Sequence, residues 1–223
     1  MTSSPSLVAN PLISAWLNVH HDGTVILQVG KVELGQGIHT ALAQIAVREL
    51  GLSPAQLLLP SPSTAASPNE GFTAGSLSIQ VSGAAVRAVC AAARQLFTEA
   101  AARRAGVPAS SLTVVDGDIR TGAGEIVGSY GSLAAEVNLD VGVVDPVPLL
   151  NRAAAPDFQR ADLPDKVFGR PRFIQDMELP GLLHARVIRP PLLRATLVDI
   201  PEDRLASLPS SVLVVRDGDF LAV

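Results

Sequence analysis

Cysteine occurs once in the 223 residues, at Cys90. That excludes an intrachain disulfide and any zinc or iron–sulfur site built on cysteines of this chain. Its surroundings, "AAVRAVCAAARQLF", read as the buried face of a helix, so a core thiol is expected rather than a nucleophile. Histidine occurs four times, at His20, His21, His39 and His184. None forms an H-x-x-x-H pair and no carboxylate cluster accompanies them, so a protein-ligated metal is not expected. Basic residues form no run, and the net charge is a mild -4. A nucleic-acid surface is therefore excluded as a first reading. No apolar run approaches a membrane span, and "MTSSPSLVAN" lacks the charged and apolar regions of a signal peptide. The cytoplasm is the default location.

Aromatic residues are scarce at 4%, yet hydrophobic residues reach 48%. Ala, Val and Leu supply most of them. That is enough for a sizeable core in one large or two small domains, and it argues against disorder.

The pattern along the chain is legible in pieces. "SAWLNVH" (14–20) alternates with period two, "HDG" is a turn signal, and "TVILQVG" (24–30) returns as a second strand. Ile38, Leu42, Ile45 and Ala46 fall on one helical face, with Gly51 and Pro54 beyond the end. "LLLP" reads as a short strand and 61–72 as a loop. A second helix is expected from near Gly75 or Ser76 to about Arg104, ended by Gly106 and Pro108. "SLTVVDGDIR" (111–120) is a hairpin around Asp116 and Gly117, followed by a strand "EIV" and a helix start at "SYGSLAAEV". Residues 138–166 carry four prolines and no clear period, as a linker would. Beyond it, "RFIQDMELPGLLHARVIRPP" (172–191) offers a strand, a Pro-Gly turn and a longer strand. "ATLVDI" is a further strand, "PEDRLASLP" a helix and "SVLVVRDGDFLAV" a hairpin. Val223 falls inside that last strand, so a split or truncated chain is expected.

Two stretches carry chemistry. "GKVELGQG" runs from a strand through three glycines into a helix. Backbone N–H groups and the helix dipole would converge there as an anion site, and Gly35 and Gly37 would let a ligand approach. Gln36 adds an amide that both donates and accepts. The stretch fits neither G-x-x-x-x-G-K-[ST] nor G-x-G-x-x-G. A tight structural turn is the competing reading. "PNEGFTAGSLS" (68–78) leads into a helix through the small residues Thr73, Ala74, Gly75 and Ser76. Two such turns could converge on one polar, phosphate-bearing ligand, or could be two ordinary capped helices.

"GKVELGQGIHTALAQIAVREL" together with "PNEGFTAGSLSIQVSGAAVRAV" resembles the molybdenum-cofactor-binding subunit of the molybdenum hydroxylases, the xanthine dehydrogenase and aldehyde oxidase family. The branch it looks most like holds the large subunits of the isoquinoline 1-oxidoreductase and nicotinate dehydrogenase type. "DKVFGRPRFIQDMELPGLLHARVIRPP" looks like the start of that branch's hammerhead domain. The resemblance implies an α+β chain: a partial molybdopterin-binding domain over 1–137, a linker over 138–166, and an incomplete α/β hammerhead domain over 167–223. It implies that Gly35, Gln36 and Gly37 lie against the pyranopterin and its phosphate-bearing tail. Thr73, Ala74, Gly75 and Ser76 would contact the same cofactor, in a dinucleotide form.

The implied reaction hydroxylates an aldehyde or N-heteroaromatic carbon with oxygen from water. A glutamate serves as base, and electrons leave through 2Fe–2S clusters on a small partner subunit. No residue here matches that glutamate. Glu33 and Glu70 flank the motifs but read as solvent-facing or turn-stabilising acids, so no catalytic residue is assigned. Three readings follow. The chain is one part of a split enzyme completed by a partner carrying the remainder of the subunit, or a truncated fragment, or a binding module for another anion. Intact cofactor motifs in a chain that cannot use them alone favour the first.

Overall fold

The computed structural model describes residues 4–144, 149–150, 159–160 and 162–223. The chain divides into two compact units, Met1–Lys166 and Val167–Val223. Its elements are mixed α and β.

The first unit opens on a short helix α1 (Pro5–Ala9) and a hairpin of β1 (Leu17–Val19) and β2 (Val25–Leu27). The hairpin forms where period-two alternation predicted it. Asp22 Oδ1 accepts from the Thr24 N–H at 2.9 Å, and Gly23 takes the left-handed conformation that closes the turn. Leu17, Val25 and Leu27 face inward and are almost completely buried. Helix α2 (Ile38–Leu50) then crosses over to β3 (Leu57–Leu58), which pairs parallel to β2. Gly51 ends α2 in the left-handed conformation, with its N–H on the Val47 carbonyl.

Helix α3 (Ala84–Ala105) packs along α2, and Cys90 lies wholly inside it. A single π-helical turn, Ile79–Gly83, precedes it. Helical structure thus starts just after Gly75 and Ser76, near which it was expected. Both hold positive φ, +69° and +57°, and a right-handed helix cannot run through them. Gly83 comes close enough to α2 that an added Cβ would sit 3.2 Å from Ile45 Cδ1.

Glu49 joins the two helices from inside. Its carboxylate accepts from Arg87 Nε at 2.8 Å and lies 3.6 Å from Arg94 Nη2. Arg94 Nε also donates to the Glu49 carbonyl at 2.7 Å. Burial pushes the Cys90 thiol far above its usual range, with the Glu49 charge adding to the effect and Arg94 opposing it. A thiol so placed does not form thiolate near neutrality. Iodoacetamide at pH 8 should leave Cys90 unmodified in the native chain and label it after denaturation, read by mass spectrometry.

A meander of β4 (Leu112–Val115), β5 (Asp118–Thr121) and β6 (Ile126–Ser129) follows, with a short helix α4 (Tyr130–Leu133). The Asp116–Gly117 turn joins β4 and β5 with both residues left-handed. The β4–β5 turn and α4 satisfy carbonyls that the end of α2 leaves open. Tyr130 Oη donates to the Leu50 carbonyl at 2.7 Å, and the Gly117 N–H donates to the Gly51 carbonyl at 3.0 Å. Phe97 meets the Tyr130 ring edge-on at 4.8 Å. Tyr130→Phe should cost about 1–2 kcal/mol in urea unfolding, because it strands a buried carbonyl without changing the packing.

Parts of the segment read as a linker bond to the first unit. Ile13 and Ser14 N–H groups donate to the Val141 and Leu139 carbonyls at 3.0 and 2.8 Å. Near its end, helix α5 (Leu163–Val167) begins.

The second unit has little regular structure. It carries one helical turn, α6 (Glu202–Ala206), and the hairpin β7 (Val215–Asp217) and β8 (Phe220–Ala222). Residues 186–188 run beside 221–223, with Ile188 N donating to the Leu221 carbonyl at 2.8 Å. The strand expected at the start of 172–191 is instead a 3₁₀ turn, Ile174–Asp176. Asp176 Oδ2 accepts from the Arg172 and Phe173 N–H groups and bends the backbone there. "ATLVDI" forms no ladder; the Leu197 N–H goes to Asp219 Oδ1 at 3.1 Å. Ile174, Leu193 and Val198 are each more than four-fifths exposed, and Ala222 is the one buried apolar residue among those described in this unit. Among the described residues no helix is long and apolar enough to cross a membrane.

Candidate functional site

Past β2 the backbone passes directly against the loop 68–73. A Cβ on Gly30 would stand 2.4 Å from the Pro68 carbonyl oxygen, so only glycine fits. The contact is then stitched by polar groups. Gly30 N donates to Glu70 Oε2 at 2.7 Å, and the Val32 N–H donates to Thr73 Oγ1 at 2.9 Å. Lys31 is buried, and its Nζ donates to the carbonyls of Glu70 and Phe72 at 2.8 and 3.0 Å. Ser82 Oγ, in the π-helical turn, donates to Glu70 Oε2 at 3.1 Å. The two stretches singled out in the sequence are therefore one structure.

The glycine turn is closed from within. Glu33 Oε1 accepts from the Gly35 N–H at 2.8 Å and the Gly37 N–H at 2.9 Å, while Oε2 lies 3.4 Å from the His39 N–H. A side-chain carboxylate thus occupies the anion position at the start of α2. Burial acts to raise the Glu33 carboxyl, and Asp162 pushes the same way. Hydrogen bonds from Gly37, Gly35 and His39 outweigh both and lower it. Gly35 and Gly37 are glycine because their φ angles are +102° and +81°. Gln36 folds back on its own loop: Nε2 donates to the Val32 carbonyl at 3.0 Å and Oε1 accepts from Leu34 N at 2.6 Å.

A cleft of about 740 Å³ opens between the two stretches. Gly30, Val32 and Leu34 form one wall, Ser63, Thr64 and Ser67 another, and Phe72, Thr73 and Ala74 a third. Glu70 also lines it, and its Oε1 is buried without a hydrogen-bond partner. Of the seven residues named from sequence, Thr73 and Ala74 reach this lining. Gly35, Gln36 and Gly37 form the turn that follows one wall, and Gly75 and Ser76 form the left-handed turn after the other. The hydroxyl wall and Lys31 were missed. A lysine four residues before the first glycine of a Gly-x-Gly turn, with Glu33 two residues on, was the available signal.

A model of the molybdopterin cofactor-binding domain matches residues 2–159. The chain belongs to that family. A nicotinate dehydrogenase subunit of Pseudomonas putida is 34% identical over 95% of this chain and 19% of its own length. The beta subunit of isoquinoline 1-oxidoreductase of Brevundimonas diminuta is 29% identical over 83% of this chain and 29% of its own. A carbon monoxide dehydrogenase from Oligotropha carboxidovorans is 29% identical over 52% of this chain and 15% of its own, with a TM-score of 0.44. This molybdopterin-family chain thus spans less than a third of the length of the relatives it matches. The motif resemblance to the cofactor-binding part of a molybdenum hydroxylase is borne out.

The donor set can be weighed against such a cofactor. A cleft lined by Ser63, Thr64, Ser67 and Thr73 together with Val32, Leu34 and Phe72 suits a ring with polar edges and apolar faces. The Gly35 and Gly37 N–H groups do not suit a phosphate, since Glu33 already takes them. Among the described residues no group of His, Cys, Asp or Glu is arranged to hold a metal ion.

Proposed function

We propose that this chain supplies one wall of the molybdenum-cofactor site in a molybdenum hydroxylase acting on aldehydes or N-heteroaromatic compounds. The observation that carries the reading is the stitching of 30–32 to 68–73 around a single cleft. Thr73 and Ala74 would face the pterin from the lining. Gly35, Gln36, Gly37, Gly75 and Ser76 would shape the two turns at its edges. When bound, the molybdenum cofactor supplies the redox centre at which water-derived oxygen is passed to the substrate.

This chain's part is to bind and orient. Lys31 and Glu70 fix the spacing of the two stretches, and Val32, Leu34 and Phe72 would exclude water from the ring's faces. The phosphate-bearing tail, in a dinucleotide form, would leave along the hydroxyl wall rather than enter the Glu33-filled turn. The base and the rest of the pocket would come from a partner chain carrying the remainder of the subunit. Electrons would leave through 2Fe–2S clusters on a small partner subunit. Residues 167–223 would be the hammerhead domain of this assembly. The reading as a truncated fragment gains from the exposed apolar side chains of that unit, and co-purification decides between them.

The test is oxidation by the complex purified through this chain from its host, in oxygen-labelled water with a dye acceptor. Label in a hydroxylated N-heterocycle or in the acid formed from an aldehyde supports the proposal. Oxidation without label, or no turnover by a complete molybdenum-loaded complex on either class, contradicts it.

A further inference from the structure

Outside the cleft, charged groups gather on the glycine turn from far along the chain. The Gly35 carbonyl accepts from Arg160 Nη2 at 2.7 Å and from Lys166 Nζ at 3.0 Å. Asp162 stands between the two cations. Its Oδ1 accepts from Arg160 Nε at 2.6 Å, its Oδ2 from Arg160 Nη2 at 2.9 Å, and Lys166 closes on the same oxygen. Asp162 is buried, and the hydrogen bond from Arg160, with that from Lys166, holds its carboxyl far below the usual range. The turn itself leaves room for this grip. A Cβ on Gly37 would sit 2.9 Å from Arg160 Cζ. Gly37 thus meets a second demand beyond its positive φ.

Gly35 is held through both of its backbone polar groups. Its N–H is on Glu33 and its carbonyl is on the two cations, with two acids and two bases in balance. Charge-assisted hydrogen bonds in a partly buried cluster are the strong kind. Glu33 is local to the turn and moves with it. Arg160, Asp162 and Lys166 are not local, and they tie the turn to a segment 125 to 131 residues further along the chain.

We propose that Arg160, Asp162 and Lys166 form a strap that sets the position of the Gly35–Gly37 turn at the edge of the cofactor cleft. They act as positioning residues, with no contact to the cofactor. The inference rests on the cofactor reading for its functional consequence, but not for the grip itself. By it, the stretch that composition marks as a linker is part of the site's framework.

The experiment has two arms. The first follows amide exchange at Gly35, Gly37 and His39 in the full chain by NMR, comparing wild type with Asp162→Asn and Arg160→Lys. Loss of the strap should speed exchange at these three amides about tenfold or more, with Leu42–Leu50 unchanged. Arg160→Lys keeps the charge and loses the fork, and should fall between. An unchanged turn in both variants overturns the proposal, as does an even rise along all of α2, which would mark general destabilisation. The second arm measures molybdenum retained after gel filtration of the complex purified from the host. Asp162→Asn should lose most of it. Wild-type levels despite a loosened turn overturn the positioning role. Absence of molybdenum from the wild-type complex instead overturns the cofactor reading, and the exchange arm still judges the strap.

Discussion

Glu49→Ala lowers the unfolding free energy of the chain by about 3 kcal/mol. Glu49 is buried between α2 and α3, and its carboxylate serves Arg87, Arg94 and the Leu150 N–H. The three lose unequally. The Arg87 side chain is 46% exposed and returns to water easily, whereas Arg94 is 14% exposed and does so less. The cost is mostly that of taking the carboxylate away from Arg94, which keeps only its bond to the Glu49 carbonyl from this residue, and from the Leu150 N–H, rather than the worth of an ion pair. Glu49→Gln keeps the shape and one acceptor oxygen, so it should cost about half as much. Urea denaturation followed by circular dichroism measures both. A loss below about 1 kcal/mol for the alanine variant would mean that Arg94 finds water.

Gly30→Ala should have the largest effect at the site. The backbone at Gly30 has an ordinary φ, so conformation is not the obstacle; space is. The new methyl would meet the Pro68 oxygen at 2.4 Å and Glu70 Cβ and Cγ at 3.1 Å. Backbone cannot yield there as a flexible side chain would. Separating the two stretches also breaks the Gly30–Glu70 hydrogen bond and loosens the Lys31 grip. The expected cost is about 2–3 kcal/mol, with loss of molybdenum from the complex. Gly71→Ala is the informative comparison. Nothing lies within 4 Å of its Cβ, and only the φ of +65° resists substitution. It should cost about 1 kcal/mol and spare the metal. Equal effects from the two substitutions would contradict close approach as the reason for Gly30.

Those two sites differ in how far the sequence discloses them. Local periodicity was enough for the β1–β2 hairpin, for α2 with its Gly51 end, and for the Asp116–Gly117 hairpin, because adjacent residues decide each one. The helical run before α3 starts two to three residues past Gly75 and Ser76, because the positive φ at both leaves no trace in hydropathy. In the second unit, extended-looking stretches failed to pair. Strand propensity needs a partner and a buried face, and the exposed Ile174 and Val198 have neither. At the site, the sequence marks the two stretches but not the groups that bind them together. Glu33 lies two residues from Gly35, close enough for its role in the turn to be legible. Arg160 reaches the same glycine from 125 residues away, and no local pattern carries that. The Gly-Gln-Gly turn was open to reading as an anion site or as a tight structural turn, and its N–H groups go to the chain's own Glu33 carboxylate.

The most direct measurement is the molybdenum and pterin content of the complex purified through this chain from its host, for wild type and Gly30→Ala side by side. The account predicts stoichiometric molybdenum and pterin in the wild-type complex, with a larger partner chain present, and their loss in the variant. A stable, monodisperse chain that carries neither, or a Gly30→Ala complex that keeps both, would contradict it.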